Sequence, residues 1–138
     1  MPALPRIERP AADEYFHYYQ KYLDRVPGDD GLTALASQAE ATLSLLARAT
    51  EAQGLHRYAP GKWSVKETMV HMADAERVFA YRALTFSRND RGNLPGFDEN
   101  AWVPESRSDT RPLAALLAEL RAVRAASLAF FAGLDVEM

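Results

Sequence analysis

The chain has 138 residues, enough for one domain with a core of useful size, and 48% hydrophobic and 25% charged residues mark an ordinary globular composition. A net charge of −3 argues against a broad nucleic-acid-binding face, and the absence of cysteine excludes disulfides, thiolate metal sites and a cysteine nucleophile. No apolar run reaches transmembrane length, and the opening MPALPRIERP lacks the apolar segment of a signal peptide, so the expected setting is the cytoplasm without membrane contact.

Residues 1–10 hold Pro2, Pro5 and Pro10 and read as an extended lead-in. A helix is expected from Ala11 to Val26, stopped by Pro27-Gly28, with Tyr15, Tyr18, Tyr19, Tyr22, Leu23 and Val26 as its apolar stripe. His17 lies nearly opposite that stripe and reads as exposed. Asp29 or Asp30 can cap a second helix reaching about to Gln53, with Leu32, Leu35, Ala39, Leu43 and Leu46 on one face. Gly54 is its natural C-cap. His56 falls in the loop LHRYAPGKW and reads as a solvated residue. A pocket-lining role is the alternative, because the loop leads straight into the next helix.

That helix organises the chain. Ser64 is a good N-cap, and Glu67 three residues on completes a capping box. Val65, Met69, Met72, Phe79, Ala83 and Phe86 share one side, and only a narrow strip with Lys66, Glu67, Asp74 and Arg77 is polar. Such a helix is central, packed by neighbours on more than one side. His71 sits on the shoulder of the apolar face. By spacing alone, a lone histidine there is more often a hydrogen-bonded structural residue than a metal ligand. Glu76 falls in the middle of the stripe, and a buried carboxylate needs a partner. Asp74 and Arg77 have the spacing of a weak surface pair, and Arg82 shares the shoulder of His71, where it could face an anionic substrate.

Residues 89–110 form a long connection that Leu94, Phe97, Trp102 and Val103 are expected to tie over a bundle edge. A last helix should begin near Asp109 or Thr110, with Pro112 near its first turn and Leu113, Leu116, Leu117, Leu120, Leu128, Phe131 and Leu134 as its stripe. Arg124 interrupts that stripe. Packed antiparallel, Glu76 and Arg124 lie at equal distances from the paired helix ends Arg88 and Pro112, which predicts a salt bridge inside the bundle; otherwise both side chains snorkel to water. No β pattern of useful length is present, so the periodicity predicts an all-α bundle. Gly61-Lys62 is no phosphate loop, since Trp63 replaces the required hydroxyl residue, and neither a nucleophile elbow nor HExxH occurs. Trp63 reads as a packing anchor for its loop.

The stretch GKWSVKETMVHMADAERVFAYRAL resembles the first signature of the DinB-like superfamily: a Gly-Lys-Trp-Ser turn, a helix with one metal-binding histidine, then an acidic step before arginine and aromatics. The resemblance is dense here and looser over nearly the whole chain. It implies a single DinB-like domain over residues 1–138, an up-down helical bundle with a long crossover. It also implies a metal-dependent enzyme of the hydrolase or thiol S-transferase type, acting on a small molecule through a divalent Zn, Ni or Fe. His71 matches the first metal ligand, and no catalytic base is assigned. The family's closing helix brings two further histidines four residues apart, and this sequence reaches Met138 before any such helix. The expectation is therefore a C-terminally incomplete domain with an incomplete three-histidine site and weak or absent metal. Glu67 lies one turn before His71, but its capping role competes. The rival reading is a non-catalytic module that binds itself or a partner. An open groove beside the central helix favours a homodimer, with Phe79, Tyr81, Phe86 or Phe131 at its core.

Overall fold

Six α-helices form among residues 5–135, which the computed structural model describes: α1 (Gln20–Leu23), α2 (Gly31–Leu46), α3 (Glu51–Gly54), α4 (Val65–Ser87), α5 (Glu99–Glu105) and α6 (Leu113–Ala132). Short 3-10 turns precede α1 (His17–Tyr19) and α6 (Ser108–Thr110). One isolated antiparallel bridge, Glu8 with Asp30, is the sole β feature among these residues. None of the helices is long and apolar enough to cross a membrane.

The expected N-terminal helix shrinks to the 3-10 turn and the four residues of α1. The Arg9 guanidinium donates to the carbonyls of Leu23, Val26 and Gly28, each at 2.8 Å, and fixes the chain in a turn just after α1. Tyr18, Tyr19 and Tyr22 stay exposed and touch one another. This segment lies against the start of α2, where the Ile7 amide donates to Asp30 Oδ1 (3.1 Å) and the Gly31 amide to the Ile7 carbonyl (2.8 Å).

Asp30 caps α2 as its sequence suggests, accepting from the Leu32 amide. The helix ends at Leu46 rather than near Gln53, because Thr50 and Gln53 form a second capping box that restarts the chain as α3. Gly54 is no left-handed C-cap. It is buried, and a Cβ there would come within 3.1 Å of Lys66 Cε and 3.4 Å of Leu113 Cδ1, so the missing side chain is what lets α3 approach α4 and α6.

The capping box at the head of α4 is as read: the Glu67 amide donates to Ser64 Oγ (3.0 Å) and the Ser64 amide to Glu67 Oε2 (2.8 Å). The crossover contains α5, capped by Asp98, whose Val103 is buried and whose Trp102 packs on Phe97 at 4.9 Å between centroids. Pro112 is itself the N-cap of α6; Asp109 and Thr110 belong to the 3-10 turn before it.

The largest interhelical contact is α4 with α6, and α2 packs on α6 next. Met69 and Val70 of α4 meet Leu113 and Leu116 of α6, and one layer along, Ala73 and Leu120 meet Leu43 of α2. Each large side chain so enclosed contributes about 1.5–3 kcal/mol. The buried face of α4 is rotated from the one periodicity suggested. Val70 and Ala73 are inside, while Phe79 and Phe86 are exposed. Lys66, read as part of the polar strip, is 3% exposed. Its ammonium is satisfied by Glu51 Oε2 (2.7 Å) and the Arg111 carbonyl (2.6 Å).

The Glu76–Arg124 pair forms as predicted. Arg124 Nε lies 2.9 Å from both carboxylate oxygens and Nη2 2.9 Å from Oε2. Its Nη1 also donates to the Leu35 carbonyl (3.2 Å) and Gln38 Oε1 (2.8 Å), so one guanidinium ties α6 to both α4 and α2.

Candidate functional site

The head of α4 is built around Arg57. Its guanidinium donates to the Lys62 carbonyl (2.7 Å), to Glu67 Oε2 and to Asp109 Oδ2 (2.5 Å). Ser64 Oγ donates to the other oxygen of Asp109 at 2.5 Å. Glu67, first, and then Asp109 raise the Arg57 pKa above its ordinary value. Gly61 turns the loop with φ +74°, a conformation that side-chain-bearing residues rarely adopt. The loop from His56 to Trp63 is thus clamped at both ends, and Trp63 is carried to the flank of α4.

There the Trp63 ring lies against His71, 4.8 Å between centroids with 50° between planes. His71 is half-buried, and its nitrogens take no hydrogen bond from the described residues. Since no buried side-chain nitrogen or oxygen among those residues lacks a partner, the imidazole nitrogens reach solvent. His71 is therefore not the hydrogen-bonded structural residue that spacing alone favours. Trp63 does more than anchor its loop, because it also positions this imidazole.

Trp63 also lines an open cleft of about 570 Å³ between α2, the loop and α4, together with Leu46, Tyr58, Met69 and Met72. His56 and Lys62 stand in its wall, so His56 takes the pocket-lining alternative. His71 adjoins the cleft through Trp63 rather than lining it.

The donors needed for a metal centre do not assemble here. A catalytic zinc takes three protein ligands and a structural one four. Among the described residues no three His, Cys, Asp or Glu side chains come together to hold an ion. Glu67 is engaged by the Ser64 amide and Arg57, so its capping role prevails. Among the described residues His71 thus stands without the two further donors that a catalytic metal centre needs. Arg82 is also spoken for: it donates to the Pro95 carbonyl (3.1 Å) and lies over the Phe79 ring, tying α4 to the crossover. Arg77 reaches Asp74 only at 3.4 Å and prefers Glu119 at 2.8 Å. Glu119 also accepts from Arg111 at 2.5 Å, and that bond, with help from Arg77, holds its carboxyl below the usual range.

The sequence reading missed the Arg57–Asp109 clamp and the Glu51–Lys66 pair. Both join residues from different elements, and no periodicity links them.

The described residues form an all-α bundle with a capped central helix, a histidine on its second turn and a long crossover. The family model of the DinB superfamily matches residues 34–138, and the chain belongs to that superfamily. Among solved structures it is similar to YfiT from Bacillus subtilis, described as "a probable metal-dependent hydrolase with an unusual four-helix bundle topology". The two are 18% identical, with a TM-score of 0.67 over 94% of this chain and 70% of that one, a likeness of fold. No curated protein matches the chain.

Proposed function

We propose that this protein is a small-molecule-binding member of the DinB superfamily, of the metal-dependent hydrolase or thiol S-transferase type, with the cleft beside Trp63 as its ligand site and His71 as its contribution to the metal. What supports this reading is the placing of His71: held on Trp63 beside the cleft, with both nitrogens unengaged by the described residues. A neutral imidazole suits Zn, Ni or Fe. On this reading the remaining donors are not among residues 5–135, a second chain being one source, and the 138-residue chain alone binds metal weakly. Calorimetric titration with Ni²⁺ tests it. Weak binding that disappears in His71→Ala is expected. Weak binding unchanged in His71→Ala would remove the role of His71, and one equivalent retained through dialysis would show that this chain completes the site.

A second reading, a non-catalytic module that pairs with another copy of itself, is favoured by the outer face of α4. Phe79 and Phe86, 50% and 64% exposed, lie on one side of α4, and Tyr81, 57% exposed, lies on the side away from them. An apolar groove of about 550 Å³ between α4 and α6 lies on the side of Tyr81, walled by Tyr81, Leu84, Val123 and Phe130. A two-fold dimer would place the same face of both chains together. The single domain of residues 1–138 would then be one half of the working unit.

A further inference from the structure

The cleft beside Trp63 carries a charge pattern of its own. The chain is acidic overall, with 19 Asp and Glu against 16 Lys and Arg, yet neither Asp nor Glu lines this cleft. The acid of that turn, Glu67, is drawn to Arg57 and the Ser64 amide instead. The one full positive charge in the wall is Lys62, which is exposed and has no ion-pair or side-chain hydrogen-bond partner among the described residues. His56 stands near it, also without a side-chain partner there. The rest of the wall is the Trp63 indole, the Tyr58 ring, two thioethers and aliphatic carbon, with the neutral polar side chains of Thr68 and Asn100.

From this we infer that the cleft selects an amphipathic organic anion: an apolar or aromatic body set against Trp63, Met69 and Met72, with a carboxylate or similar group directed to Lys62. The volume, about 570 Å³, is in the ordinary range for small-ligand pockets. Apolar contact supplies most of the affinity, and the cation supplies the choice of charge. A neutral ligand of equal shape loses only the ion pair. An anion entering a wall lined by carboxylates would meet repulsion, and this wall holds no carboxylate. The inference rests on reading this cleft as the ligand site, but not on His71 binding a metal.

The test uses 4-phenylbutyrate and its neutral counterpart, 4-phenylbutyramide, read by the fluorescence of Trp63. The chain has two tryptophans, so Trp102→Phe, which keeps a ring against Phe97, leaves Trp63 as the single reporter. Both probes should give saturable changes, with the carboxylate binding about three- to fivefold more tightly, the effect of one partly exposed charge pair. Lys62→Gln should abolish that preference and leave amide binding unchanged. Circular dichroism checks that each variant is folded. Equal binding of the two probes, or a preference that survives Lys62→Gln, overturns the inference while the cleft stands. No response of Trp63 to either probe overturns both the inference and the ligand site on which it rests.

Discussion

Arg124 satisfies Glu76 on α4 and the Leu35 carbonyl and Gln38 on α2, with its own side chain 12% and that of Glu76 15% exposed. Removing one partner of such a pair leaves a poorly solvated charge behind, which typically costs about 3–5 kcal/mol. Arg124→Ala should lie near about 3 kcal/mol, since water still reaches the pair. Glu76→Ala should cost less, because Arg124 keeps its two acceptors on α2. The double replacement Glu76→Leu/Arg124→Met should be less damaging than Arg124→Ala. Urea unfolding of the three variants measures this; an Arg124→Ala loss below about 0.5 kcal/mol would put the pair in the class of surface bridges. This interaction was legible in the sequence because it needed only helix register and an antiparallel pairing. Lys66 was not, because its partner Glu51 rides on a four-residue helix inside a stretch whose periodicity reads as one longer helix.

At the scale of elements, carboxylates hold the helix ends together. Glu51 caps the Leu113 amide at the start of α6 (2.7 Å) while pairing with Lys66 of α4, and its pKa is lowered first by Lys66 and then by that amide. Glu119 links Arg77 of α4 to Arg111 and is lowered chiefly by Arg111. A carboxylate with a depressed folded pKa stabilises the fold above its unfolded pKa, and the contribution is lost as pH falls through the folded value. Thermal midpoints should therefore be flat from neutral pH to about 5 and fall below about 4, and Glu119→Gln should make the acid limb shallower. A midpoint that rises on acidification would contradict these assignments. The elements themselves were unevenly legible. Helix α4 was clear because Ser64 and Glu67 satisfy each other locally, and Asp30 announces α2 in the same way. The N-terminal helix was misread because a periodic row of tyrosines implies a face to bury, and the bundle offers those tyrosines none. At the site, the resemblance singled out His71. Its contact with Trp63 lies across the helix cap, where no helical spacing applies.

At the scale of the whole molecule, the exposed aromatics of α4 bear on assembly. If they pair with a second copy, light scattering should give a dimer mass at high micromolar concentration. The double variant Phe79→Ser/Tyr81→Ser should then be monomeric and keep its helical circular dichroism, since neither ring contributes to the buried core. A parent protein that stays monomeric at that concentration removes the dimer reading.

The crossover has a kinetic meaning. The two long helices that share most contact are joined by 25 residues of intervening chain, Arg88 to Pro112, and their central ion pair spans a sequence separation of 48. Their docking must therefore close a sizeable loop before native contacts offset the lost freedom, and the entropy of that closure grows only slowly, about 0.6 kcal/mol for each doubling of length. Residues 89–93 are all exposed and belong to neither apolar core cluster. Added length there would be felt in the search for the native pairing, as slower folding, while the rate at which the finished bundle comes apart would stay nearly the same.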